Sequence, residues 1–312
     1  MSTKSRIAIT ATAITATMGL VTQTSQAAIV GGDVVAYWQF EDAAASTTAT
    51  DWTGNGNNAS LIDDSTATST FGGSGISGQA WITTDDGASW AGQKSDYLTV
   101  GTAATKQEGA GAFAVTGWMN ISVLNPGDAG NPGTGNNHFF DTDRGGANNG
   151  YRLSIIAGNQ GQVPSLTFTT KDEDSSSSTT TIDTGFDGFA TDEWYFVAGS
   201  YDGTDGTVIL APISQPWASR FENSGTFSNT VGTSSRDLAL GRIGGAGGFN
   251  GLRDEHAIFN RALTGVELQS IFEGGVMGNG LDVVIPEPGT AMLLALGGLV
   301  AAAARRRMQR DD

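Results

Sequence analysis

Between Val34 and Leu281 the chain alternates short apolar and β-branched runs with clusters of Gly, Asn, Asp and Ser. The clearest early runs are "VVAYWQF" (Val34 to Phe40), "YLTV" (Tyr97 to Val100), "FAVTGWMNISV" (Phe113 to Val123) and "YRLSII" (Tyr151 to Ile156). Later come "SLTFTT" (Ser165 to Thr170), "WYFVAGSY" (Trp194 to Tyr201), "TVILA" (Thr207 to Ala211), "LALGRI" (Leu238 to Ile243) and "AIF" (Ala257 to Phe259). Several alternate apolar with polar positions, the pattern of a half-buried strand. One helix signal stands out: Thr264 and Glu267 form a capping box ahead of "LQSIF". Many strands and one late helix predict an all-β sandwich. "DEDSSSSTTT" (Asp172 to Thr181) predicts a loop or a worn hairpin, and "LNPGDAGNPGTGNN" (Leu124 to Asn137) a second long loop. No repeat of fixed period interrupts this reading.

Composition agrees. Glycine is abundant (45) and proline sparse (7), which suits a protein of many turns. The absence of cysteine removes disulfides and thiolate metal sites. The formal charge is −16, but the positive charge is concentrated at the ends, in Lys4, Arg6, Arg305, Arg306, Arg307 and Arg310. The segment between them is more acidic still. Such a surface repels nucleic acid and anionic lipid, and suits cations or neutral ligands.

The ends read as addresses. Lys4 and Arg6 precede a mildly apolar core, Ile7 to Val21, and "SQAA" places Ser25 and Ala27 at the −3 and −1 positions. This predicts a secretory signal peptide over 1–27 and a mature chain from Ala28. Gly289 to Ala304 is uncharged and apolar on all sides, set off by Pro286 and Pro288 and stopped by Arg305, Arg306 and Arg307. As a helix it spans about 24 Å, short against ~30 Å of hydrocarbon. The arginines predict a short transmembrane helix with its end in the cytoplasm and the acidic domain outside.

"PEPG", an apolar run and "RRR" at the C-terminus resemble a PEP-CTERM sorting signal, carried by Pro286, Glu287, Pro288, Arg305, Arg306 and Arg307. The resemblance implies export, a transient stay in the inner membrane, processing by an exosortase, and a final place at the cell surface or in the extracellular matrix. Ile285 stands where the commonest form has valine. The expected organisation is signal peptide 1–27, β domain 28–281 and sorting signal 282–312.

The domain resembles the laminin-G-like, concanavalin A-like jelly roll. The resemblance rests on "AYWQFED", "DWTGNGNNASL", "SDYLTV", "FAVTGWMNI", "GYRLSI", "EWYFVAGSYDG", "LALGRI" and "FNGLRDEHAIFNRALTGVELQSIF". Two features depart from it. The strand after "YDG" usually leads into an Asn-Gly or Asp-Gly turn; here "VILAPISQPWASRF" takes its place, which puts that hairpin in doubt, and His256 follows "DE" where valine is common.

Candidate chemistry is sparse. "DWTGNGNN" offers one carboxylate, three amides and two glycines, and calcium takes six to eight oxygens. The resemblance implies a structural calcium near this loop and the "DE" strand, at Asp51, Asn57 and Asp254, with Glu41 a further ligand. A plain Asx-rich turn uses the same residues. "HFFDTDRGG" sets His138 near two acids without a second histidine, which reads as a strand entering a solvated turn. His256 reads as a surface or half-buried strand residue. Glycanases of the resembled fold carry Glu-x-Asp-x-x-Glu on one strand, and that spacing is missing here. No Gly-x-Ser-x-Gly elbow or phosphate loop occurs. Among the tryptophans, Trp52, Trp90 and Trp217 fall in loop-like contexts and are the candidates for stacking on a sugar.

These features favour a non-catalytic exported surface or matrix protein that binds glycan, exopolysaccharide or another protein. A glycoside hydrolase with an unfamiliar carboxylate pair and a coat protein without specific ligand are the alternatives.

Overall fold

The structure, a computed structural model, describes residues 29–63, 69–83, 96–123, 136–142, 149–156, 165–172, 177–182, 190–234, 236–241 and 250–285. The expected signal peptide, the sorting-signal residues Pro286 to Arg307 with their apolar run, and Trp90 lie outside these. Among the described residues no helix is long and apolar enough to cross a membrane.

In chain order the strands are β1 (Val34–Trp38), β2 (Thr48–Ala49), β3 (Ala59–Ile62), β4 (Thr70–Ser74), β5 (Gln79–Thr83), β6 (Tyr97–Val100), β7 (Phe113–Val123) and β8 (Asn136–Asp141). There follow β9 (Gly150–Ile156), β10 (Ser165–Lys171), β11 (Ser177–Ile182), β12 (Trp194–Tyr201), β13 (Asp205–Pro212), β14 (Phe221–Thr226), β15 (Leu238–Gly241) and β16 (Asn250–Phe259). Helices α1 (Ala103–Lys106), α2 (Gly265–Val276) and α3 (Leu281–Val284) complete the set.

The strands form two antiparallel sheets, as the alternating pattern predicts. One runs β14-β13-β12-β7-β16-β5-β4, with β1 also paired to β16. The other runs β11-β10-β9-β8-β15-β6-β3-β2. β7 shows how the pattern specifies the layers. Phe113, Val115, Met119 and Ile121 join the core between the sheets, with Phe139, Leu153 and Phe168 opposite. Ala114 and Trp118 point the other way, into a second core. Helix α2 covers that second core with Leu268, Ile271, Phe272 and Gly275, spaced for one helical face. Trp118 stacks on Phe272 at 5.7 Å, and the ring lies so close to the helix that a Cβ on Gly275 would meet it at 2.3 Å. The predicted capping box is present: Glu267 N–H donates to Thr264 Oγ1 (3.3 Å) and Thr264 N–H to Glu267 Oε2 (2.8 Å).

The structure revises several expectations. The hairpin in doubt, which follows the strand after "YDG", is formed: β13 and β14 pair from Leu210–Phe221 to Asp205–Thr226, and before it β12 and β13 pair from Tyr195–Pro212 to Tyr201–Gly206. Asp202 closes the β12–β13 turn, accepting from Thr204 N–H (2.8 Å) and Asp205 N–H (2.7 Å), which holds its carboxyl below the usual range. The serine and threonine run after Asp172 is a hairpin strand, β11, paired with β10. His256 is fully buried between Phe40, Phe139 and Phe140 rather than at the surface. Packing also continues past the expected boundary at 281, since Leu281 and Ile285 are buried in the second core.

Candidate functional site

Asp51 sits just after β2, at the start of the Asx-rich loop to β3, and is bridged backbone to backbone with Trp38 at the end of β1. Its Oδ1 accepts from Tyr37 N–H (3.1 Å), Thr53 N–H (3.1 Å) and the Thr53 hydroxyl (2.7 Å), and its Oδ2 from Asn57 N–H (3.0 Å). Asn57 ties the loop down with its amide on the Val35 carbonyl (2.7 Å) and its own carbonyl on Trp38 Nε1 (2.9 Å). Gly54 and Gly56 take positive φ, 73° and 82°, so that backbone N–H groups turn inward.

Asp254 and Glu41 serve a different turn, between β4 and β5. Asp254 Oδ2 accepts from Ile76 N–H (2.7 Å) and Ser77 N–H (3.2 Å), and Glu41 Oε1 from Gln79 N–H (2.6 Å). The four expected calcium ligands therefore divide into two pairs on two turns. Their carboxylates face N–H and O–H donors, whereas a cation needs free lone pairs. Burial and then the charge of Glu255 push the Asp254 carboxyl well above its usual range. Among the described residues no group of three or more acids or histidines is placed to hold a metal. This donor set does not fit calcium; it fits a pair of capped turns.

β16 changes partner along one edge. Gly251 to Arg253 pair with β5, and His256 to Phe259 with β1. A bulge fills the gap, with Glu255 at φ 53°. In a regular strand Asp254 and Glu255 would face opposite ways. Here Asp254 reaches the β4–β5 turn, while Glu255 accepts from the Tyr37 hydroxyl in a short hydrogen bond. Leu281 N–H donates to Glu255 Oε2 (2.6 Å) and to Tyr37 Oη (2.9 Å). Burial pushes the Glu255 carboxyl up to about 7 against the hydrogen bonds from Tyr37 and Leu281, and Asp282 and Glu41 add to the rise. Burial and then Glu255 also raise the Tyr37 hydroxyl well above its ordinary value, so it stays a donor. Gly280 is needed at the crossing: a Cβ there would lie 3.0 Å from Tyr37 Oη and 3.1 Å from Glu255 Oε1. The end of the domain is thus latched to its first strand.

Above the latch opens a cleft of about 470 Å³, walled by Val34, Tyr37, Trp52, Asn55, Asp282 and Ile285. Trp52 is 42% exposed and meets Tyr37 edge-on at 5.7 Å. Its backbone N–H is fixed on the Tyr37 carbonyl (2.8 Å). The Asn55 amide bonds the Val35 carbonyl (3.0 Å), which stiffens the wall. Of the three tryptophans singled out for stacking, Trp52 alone is exposed among the described residues. Trp217 is only 8% exposed; it packs on Phe196 and Phe272 with Arg220 4.6 Å over its ring. It belongs to the second core because the short 3-10 turn Trp217–Ser219 folds under the sheet.

The two histidines are structural. His138 Nδ1 lies 2.5 Å from Asp141 Oδ2, both buried. Arg253 crosses from the opposite sheet to donate to the His138 carbonyl (2.8 Å), over the Phe139 ring at 5.0 Å. Burial lowers its guanidinium to about 9.

Sequence reasoning missed Tyr37, Glu255, Asp282 and Ile285. Tyr37 reads as ordinary strand core, and nothing in "RDEHA" signals a bulge.

Residues 284–307 match the PEP-CTERM protein-sorting motif. The motif marks an exported protein, held transiently at the membrane and sorted to the cell surface, and it implies processing by an exosortase. No curated protein sequence matches the chain significantly. Solved structures similar to it include binding domains of botulinum neurotoxins and of a mosquitocidal protein. The receptor-binding domain of botulinum neurotoxin C/D mosaic serotype gives a TM-score of 0.52 at 13% identity, over 78% of this chain and 52% of that one. The binding domain of Paraclostridial Mosquitocidal Protein 1 gives 0.56 at 13%, over 80% and 56%. A structure titled for cell entry of botulinum neurotoxin type C through two ganglioside molecules gives 0.53 at 14%, over 79% and 52%. The chain spans about half the length of these neighbours. At such identity they show the fold, a two-sheet β sandwich.

Proposed function

We propose that this is a non-catalytic surface or matrix protein whose sandwich binds a neutral glycan in the Trp52 cleft. The observation that carries the reading is the half-open Trp52 ring, held by Tyr37 at the rim of a cleft with polar walls at Asn55 and Asp282. A fixed aromatic face plus a few oriented polar groups is what a sugar ring requires. Net charge disfavours a polyanion. The similar structures lend support in kind: cell entry of botulinum neurotoxin type C depends on two ganglioside molecules, and the C/D mosaic domain binds a receptor. Hydrolysis requires two carboxyls held about 5–9.5 Å apart across the scissile bond. Here Asp51, Asp254 and Glu255 are committed to backbone N–H groups beneath the surface. The jelly-roll relationship, closer than the sandwich alone, belongs to the same reading.

Retention of the full mature chain in mild detergent on a panel of immobilised neutral exopolysaccharides is the test. Binding lost in Trp52→Ala with an unchanged melting curve supports it. Reducing ends released over time would return the hydrolase reading, and failure on every polymer would favour a coat protein.

A further inference from the structure

The cleft lies where the chain leaves the domain. Ile285 forms part of its wall and is followed at once by Pro286 of the sorting motif. Only Pro286, Glu287 and Pro288 separate it from the uncharged run beginning at Gly289. Four steps of extended chain cover at most about 14 Å. The headgroup layer on one side of a bilayer takes up roughly 5–8 Å of that. With the run in the hydrocarbon, the Ile285 wall stands within about 6–9 Å of the headgroup surface, less than the ~10 Å width of one helix.

The stand-off has little freedom on the domain side. Leu281 is latched to Glu255 and Tyr37, and Ile285 N–H closes on the Leu281 carbonyl (2.8 Å). Both side chains are buried. Val30 and Val283, each next in sequence to a cleft-lining residue, are exposed apolar groups that tolerate a lipid surface.

We propose that membrane anchoring and ligand binding exclude each other: while the tail holds the chain in the bilayer the Trp52 cleft faces the headgroups, and severing the tail opens it. The inference rests on the cleft being the ligand site and deepens that reading, because it makes processing the step that activates binding. A glycan strand, which must enter and leave the cleft, is obstructed in a gap narrower than one helix.

The absence of cysteine makes the test direct. Val30→Cys reports on the cleft mouth and Ser177→Cys on the exposed far edge of the other sheet. Each full-length variant is reconstituted in phosphatidylcholine vesicles and labelled from outside with a bulky polyethylene glycol maleimide. The Val30→Cys thiol should react several-fold more slowly than the Ser177→Cys thiol. A flexible linker of about twenty residues after Ile285, reaching roughly 25 Å, should abolish the difference, as should detergent. Equal rates in vesicles without the linker overturn the proposal, and so does slow labelling that persists with it. If the linker form exposes the cleft but is retained on none of the neutral exopolysaccharides, the ligand reading fails while the orientation stands.

Discussion

A Cβ on Gly117 would lie 2.4 Å from Cδ2 of His256, so the imidazole occupies the space any other residue at 117 would fill. The contact is between neighbouring strands at the centre of the sheet. Gly117→Ala is expected to lower the unfolding free energy by about 2 kcal/mol, through overpacking. Because the two sites share one volume, the double variant with His256→Ala should lose less than the sum of the singles. Urea unfolding of the four proteins measures this; strict additivity would contradict it.

Glu255 and His256 are adjacent with opposite linkage to pH. Burial raises the Glu255 carboxyl to about 7, so the native state keeps a proton that the unfolded chain releases above its ordinary carboxylate value. Its contribution is full below about pH 4.5 and is lost as pH rises through about 7, at most about 3 kcal/mol in all. Burial, then Arg253, lowers the His256 imidazole well below its usual value. Its contribution is present above about pH 6.5 and is lost as pH falls. The native-minus-Glu255→Gln difference in unfolding free energy cancels the histidine. It should decline between pH 5 and 7.5; a flat or rising difference would show that Glu255 is ionised throughout.

Asp51 satisfies four donors from one loop and one strand. Asp51→Ala should cost about 3 kcal/mol, since several N–H groups lose their acceptor together in a buried place. The cost should be equal with and without chelator, as expected of a loop held by the hydrogen bonds on Asp51. A chelator-induced fall in the native melting temperature that Asp51→Ala removes would restore a calcium site.

Trp52 and Trp217 separate recognition from packing. Trp217→Ala empties part of the second core and should cost about 3–4 kcal/mol. Trp52→Ala removes a half-exposed ring and should cost under about 1 kcal/mol while abolishing glycan retention. Thermal melts and affinity chromatography on the same preparations check both; the reverse ranking of stabilities would contradict the layer assignment.

β7 and β12 were legible because they carry apolar residues whose burial is unambiguous; of β16 only Ala257–Phe259 was, because "NGLRDEH" before it is mostly polar. β4 was not, since "TFGGS" offers one large apolar side chain to the core. β11 was legible only as a loop or a worn hairpin for a related reason: serine and threonine satisfy strand geometry without announcing it hydrophobically. For the site, the Asx loop and Trp52 could be found from local composition. The latch could not, because Tyr37 and Glu255 are 218 residues apart and meet only through a backbone bulge. Trp217 misled because a short 3-10 turn between prolines, serine and arginine looks solvated until the sheet above it is known.

The position of β16 also sets the order in which the domain can be completed. Along its length β1 pairs with β16, and one edge of β7 waits for the same strand. A chain threaded outward from its N-terminus therefore exposes an unclosed sheet until residues 250–285 have emerged. Those residues run up to and into the sorting motif, so the native state becomes reachable only once the chain as far as that motif has emerged. A chain truncated before Asn250 does not yield a smaller domain. It leaves β7 as an open edge in the middle of the sheet, a surface that pairs with other copies of itself.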